Sequence, residues 1–101
     1  MTPLRIEERG QERWILLAGE MYHEEVLRLK DVLDRAAMQA SGAVVVDLGG
    51  VTFIVSLGYG VIVSARERFA ARGLTLRLAN VPDPVERTLR TMRLAHDFER
   101  A

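Results

Sequence analysis

The chain has 101 residues, enough for one domain with one modest core and too few for a second. Its 14 basic and 14 acidic residues cancel, so no long-range field draws it to a nucleic-acid backbone or an anionic membrane. It has no cysteine, which excludes disulfides, thiolate nucleophiles and sulfur-ligated metals and fits a reducing compartment.

Apolar residues make up 49% of the chain and charged residues 28%, an ordinary globular balance that argues against disorder. The stretch from Met1 to Arg9 is charged and lacks the apolar core of a signal peptide. No apolar run approaches the roughly 20 residues that span a bilayer. A cytoplasmic protein without direct membrane insertion is expected.

Leu4-Arg5-Ile6-Glu7 alternates as a strand does, Gly10-Gln11 offers a turn, and Arg13 to Ala18 reads as a second strand, giving an N-terminal hairpin. That second strand is apolar from Trp14 onward, so burial on both faces is expected. Gly19 closes it, and Glu20-Met21-Tyr22-His23 leads into a helix. From Glu24 to Ala40, Val26, Leu29, Leu33, Ala36, Ala37 and Ala40 recur at helical spacing, with Arg28, Lys30, Asp31, Asp34 and Arg35 on the other face. Tyr22 and His23 are weak caps for its start; Ser41-Gly42 ends it.

Ala43 to Leu48 is rich in valine and is the central strand. A turn is expected at Gly49-Gly50, and Val51 to Val55 extends the apolar run. The period then changes. Leu57, Val61, Ile62, Ala65 and Phe69 predict a helix from about Ser56 to Arg72, stopped by Gly73. Leu74 to Ala79 alternates as a strand with one buried face. After a loop, Asp83 as cap, Pro84 in the first turn and Glu86 three residues after the cap mark a last helix, with Val85, Leu89 and Met92 facing inward. The tail from Arg93 to Ala101 is either a short final element or frayed.

The order β-β-α-β-α-β-α predicts a small α/β domain over residues 1–101. Its sheet would be mixed, with four or five strands, and its helices would lie mainly on one face, because three helices cannot clothe both.

Chemistry centres on Ser56-Leu57-Gly58-Tyr59-Gly60. Two glycines in a helix's first turns cost about 1 kcal/mol each relative to alanine, which close approach to a neighbouring element or to a ligand would offset. Ser56 suits the helix N-cap. No lysine follows the glycines, so this is not a phosphate-binding loop. His23 and His96 are far apart and neither belongs to a helical metal pair. Glu20, Glu24 and Glu25 have no nucleophile, oxyanion donor or metal set beside them. Arg87, Arg90 and Arg93 form a basic stripe typical of a solvated face. No catalysis, no metal and no cofactor are expected.

Several motifs together resemble the STAS domain of anti-sigma factor antagonists: Gly19-Glu20-Met21, Val46-Asp47-Leu48-Gly49-Gly50-Val51-Thr52-Phe53, Gly58-Tyr59-Gly60-Val61, Arg72-Gly73-Leu74, and Val81 to Leu89. The resemblance runs from about Leu4 to Phe98. In that family the loop before the second helix reads Asp-Ser-Ser-Gly, and its second serine is phosphorylated by a kinase-fold anti-sigma factor. Here Val55 stands for the aspartate and Leu57 for the phosphorylated serine, while Tyr22 replaces an aspartate of the first loop. Leucine has no hydroxyl, so phosphoryl transfer at that position is chemically impossible, and Ser56 is the remaining alternative acceptor.

The resemblance implies a protein-binding module that regulates transcription by binding an anti-sigma factor of kinase fold. The partner surface would comprise Glu20, Met21, Tyr22, Ser56, Leu57, Gly58, Tyr59 and Gly60. Tyr22, Leu57 and Tyr59 would form an exposed apolar patch, unless Leu57 and Tyr59 turn inward to the core. Leucine and tyrosine on such a surface also suit a homodimer. STAS-like domains serve too as cytoplasmic accessory subunits of lipid-transport ABC complexes and as scaffold units of stress-sensing assemblies. A nucleotide sensor binding at the helix N-terminus is a further alternative.

Overall fold

The computed structural model describes residues 4–101. The N-terminal hairpin forms as expected: β1 (Leu4–Arg9) pairs antiparallel with β2 (Glu12–Met21), Ile6 opposite Ile15 and Glu7 opposite Trp14. Gly10 closes the turn at φ 61, a left-handed conformation open to glycine at little cost. There follow α1 (His23–Gln39), β3 (Val44–Ile54), α2 (Ser56–Ala71), β4 (Leu76–Ala79), α3 (Asp83–Thr91) and β5 (Glu99–Arg100).

The five strands lie in sequence order, and β2, β3, β4 and β5 are mutually parallel. Each parallel step therefore crosses over in the same direction. Right-handed crossovers in one direction put every helix on the same face. Ile15, Leu17, Val44, Val46, Leu48, Leu76 and Leu78 project from that face into the core. They meet Val26, Leu29 and Leu33 of α1, Ile62, Ala65 and Phe69 of α2, and Val85 and Leu89 of α3, all buried.

This one-sidedness corrects the expectation for β2. Ile15 and Leu17 are buried, but Trp14, Leu16 and Ala18 point to the helix-free face and are only half-buried. Charged neighbours shelter that face. The Arg9 guanidinium lies 4.1 Å over the Trp14 ring, and Arg77 of β4 pairs with Glu12.

Gly49-Gly50 does not form a turn. Both glycines lie inside β3, beside a register shift in its pairing with β2 between Leu16 and Ala18. A Cβ on Gly50 would stand 3.0 Å from the Ala18 Cβ and 3.1 Å from the Leu17 carbonyl oxygen. The strand thus crosses the sheet at full length because glycine allows β2 to approach it. Asp47 ties β3 to the loop after β4: one carboxylate oxygen accepts from the Gly49 N–H at 2.8 Å and the other from the Asn80 side-chain amide at 3.0 Å.

At the start of α3 the N-cap is Pro82, and Asp83 is the first helical residue. Met92 caps that helix's other end and is exposed, since the helix stops before it can turn inward. The tail is ordered. Phe98 is buried, β5 pairs with β4, and the Ala101 N–H donates to the Leu78 carbonyl at 2.9 Å.

Candidate functional site

The parallel strands β2 and β3 both end where α2 begins. The Val55 N–H donates to the Met21 carbonyl at 3.0 Å, which ties the end of β2 to the loop that launches α2. Val55 is the N-cap of α2, in extended conformation, and the Gly58 N–H donates back to its carbonyl at 2.8 Å. Ser56 is therefore the first helical residue and not the cap, and it is exposed.

Gly58 explains itself by packing. A Cβ there would lie 2.5 Å from Ile54 Cγ1 and 2.6 Å from Ile54 Cδ1, with Val26 Cγ2 of α1 at 3.4 Å. The helix can rest on Ile54 and α1 only without that side chain. Gly60 has nothing within 4 Å of such a Cβ, and packing gives no reason for it.

The expected surface divides in two. Tyr22 and Leu57 are exposed, by 48% and 43%. Tyr59 is buried and belongs to the core, so it is not part of the patch; Met21 and Gly58 are buried as well. Tyr59 lies two residues after the exposed Leu57, about 200° around the helix, which carries its ring to the opposite side, in toward Leu48 and Ile62. Glu20 and Gly60 are exposed.

The structure adds Phe53, which is 48% exposed and meets the Tyr22 ring at a centroid distance of 5.4 Å and an interplanar angle of 44°. Nothing in Val51 to Val55 marked it, because one polar residue, Thr52, among four apolar ones gives no alternation to say which of those faces out. The Tyr22 hydroxyl donates to a Glu20 carboxylate oxygen at 2.5 Å, and Glu25 accepts from the Tyr22 backbone N–H at 2.9 Å. The hydrogen bond to Glu20, reinforced by its negative charge, pushes the Tyr22 phenol above its ordinary range. Its hydroxyl thus stays a proton donor.

The site accordingly offers an aromatic pair and a leucine, fringed by Glu20 and the first residues of two helices. Its makeup, apolar side chains beside polar ones, is the one that protein interfaces share. No group of three or more His, Asp or Glu residues among those described is arranged to hold a metal. No helix among the described residues is long and apolar enough to cross a membrane.

Comparison with known proteins bears on this arrangement. The unphosphorylated form of the anti-sigma factor antagonist SpoIIAA superposes with a TM-score of 0.84 at 20% identity, over 97% of this chain and 87% of that one. An anti-sigma-factor antagonist (STAS) domain protein from Planctomyces limnophilus gives 0.81 at 19% identity, over 96% and 87%. An RsbS variant from Moorella thermoacetica gives 0.82 at 18% identity, over 99% and 86%. At these identities the likeness is one of fold. No curated protein matches the chain. A family model described as "Mlab, STAS domain" matches residues 4–99, nearly the full length. With that match and the strand order in agreement, the chain belongs to the Mlab, STAS domain family.

Proposed function

We propose that this STAS domain is a protein-interaction module that docks its partner on Tyr22, Phe53 and Leu57, with no phosphorylation switch at position 57. The observation that carries the reading is the exposure of three large side chains, Tyr22 at the start of α1, Phe53 near the end of β3 and Leu57 at the start of α2. Clustered exposed apolar groups rimmed by polar ones mark interaction surfaces, and aromatic residues dominate binding energy at such surfaces. Ser56, exposed at the first helical position, is a candidate phosphoryl acceptor beside the patch. A phosphate there would meet free helix N–H groups and add nearly two negative charges to the docking surface.

Two partner classes fit. One is a kinase-fold anti-sigma factor, which makes the protein an antagonist regulating transcription. The other is the ATPase of a lipid-transport complex, which makes it a constitutive accessory subunit. Leu57 favours the second, because a surface that cannot be phosphorylated at that position suits a partner that is not released. A nucleotide at this helix start is disfavoured by its surroundings, which are apolar at Phe53 and Leu57 and acidic at Glu20 and Glu25.

The test uses tagged wild type and Leu57→Asp as baits in the native host, with captured proteins identified by mass spectrometry. Wild type is expected to recover one of the two partner classes, and the variant to lose it while its circular dichroism and melting temperature stay unchanged. A folded Leu57→Asp protein that keeps its partner would sink the docking surface.

A further inference from the structure

The sheet ends on one side at β1, a six-residue strand with no neighbour on its outer side among the described residues. The opposite edge, β5, has only two residues. A row of unpaired backbone N–H and C=O groups as long as that of β1 is a template for another strand. We propose that β1 is a homodimer interface: β1 of a second copy pairs with it antiparallel, about a two-fold axis through Ile6, and joins the two sheets into one.

The charges on β1 single out this register. A two-fold axis normal to the sheet keeps the helices of both copies on one face, and directly opposite residues then project to the same face. With the axis on Ile6, each copy sets Arg5 against Glu7 of the other, and Ile6 against Ile6. Arg5 and Glu7 sit opposite Leu16 and Trp14 of β2, so both belong to the helix-free face and can reach each other across the axis. Moving the axis to Glu7 sets Glu7 against itself and Arg5 against Arg9. Moving it to Arg5 sets Arg5 against itself. Like charges directly opposite one another destabilise a strand pair, and opposite charges stabilise it. Charges that ordinarily protect an edge therefore permit one pairing and oppose its neighbours.

Ile6 agrees. Its cross-strand partner Ile15 is completely buried, yet Ile6 itself is 48% exposed on the helix side of the sheet edge. A second Ile6 across the axis covers it. Within one copy Glu7 holds both Arg5 at 3.1 Å and Arg9 at 2.9 Å. On pairing, Arg9 keeps its Glu7 while Arg5 turns to Glu7 of the second copy. The strand is short beside the roughly 800 Å² that each partner buries in a standard stable interface, so the dimer is weak and its population rises with protein concentration. The residues involved are separate from Tyr22, Phe53 and Leu57, so the two surfaces are separable by mutation.

Sedimentation equilibrium on the full chain from micromolar to millimolar concentration tests this. Wild type is expected to shift from monomer to dimer. Arg5→Glu and Ile6→Lys should each raise the dissociation constant at least roughly tenfold. The double reversal Arg5→Glu with Glu7→Arg should restore dimerisation, because it exchanges the signs and keeps the pairing. Circular dichroism checks the fold of each variant. Hydrogen exchange on wild type gives a readout free of mutation: the outward amides of β1 should gain protection at high concentration. A wild type that stays monomeric to millimolar concentration overturns the proposal. So does a dimer that folded Arg5→Glu and Ile6→Lys leave intact, or one that forms without protecting β1.

Discussion

Ser56 and Leu57 are one residue apart at a helix start, about 100° around the axis, and that angle separates a candidate phosphoryl acceptor from an apolar contact. The two nearby glycines show how far local chemistry depends on what lies opposite. Gly58 faces Ile54 and Val26, so Gly58→Ala forces a methyl group into a filled space. Overpacking costs about 1–3 kcal/mol and the gain in helix propensity returns about 1 kcal/mol, leaving a net loss of about 1 kcal/mol. Gly60→Ala meets nothing and should gain about 0.5–1 kcal/mol from propensity alone. Urea denaturation of the two variants checks both signs; a loss in both, or a gain in both, would refute the packing explanation.

Between elements, α1 and α2 are linked at the surface as well as through the core. Asp34 of α1 accepts from Lys30 at 2.9 Å and pairs with Arg68 of α2 at 2.5 Å. The hydrogen bond from Lys30, and after it the Arg68 guanidinium, hold the Asp34 carboxyl below the ordinary 3.8. A group whose folded pKa is depressed contributes stability above its unfolded pKa and loses it as pH falls through the folded one. The contribution is therefore complete above about pH 4 and disappears in more acid solution. Asp34→Asn should lower stability at neutral pH by at most about 1 kcal/mol, because the pair is partly solvated. The variant's melting temperature should also fall less steeply than that of wild type below pH 4. Parallel acid limbs for the two proteins would show that the pair contributes nothing.

At the scale of the whole molecule, the last residues complete the fold. Phe98 is buried in the core shared with Leu48, Tyr59 and Leu78, and behind it β5 adds a short fifth strand. Removing a buried phenylalanine side chain costs about 3–5 kcal/mol, a large share of the roughly 5–15 kcal/mol that holds such a protein together. Phe98→Ala should therefore lower the denaturation midpoint more than any of the substitutions above. A midpoint close to that of wild type would mean that the tail is dispensable.

Periodicity marked the hairpin and the three helices, and the element order with the small number of helices implied the parallel strands and the one-sided stacking. Those features follow from side-chain spacing along the chain and from the handedness of crossovers, both of which act locally. The motifs around Asp47, Gly58 and Val81 to Leu89 carried the family resemblance for the same reason, since each is a short contiguous segment. Tertiary packing decided the rest. Trp14 and Leu16 look as buried as Ile15 and Leu17 until one face of the sheet is left without helices. Gly49-Gly50 looks like a turn until β2 is close enough to hold it in a strand. Tyr59 turned inward beside Leu48, Ile62 and Phe98, while Phe53 stayed outside against the Tyr22 ring. Which apolar side chain stays in water depends on what occupies the space opposite it, and that neighbour is distant in the sequence.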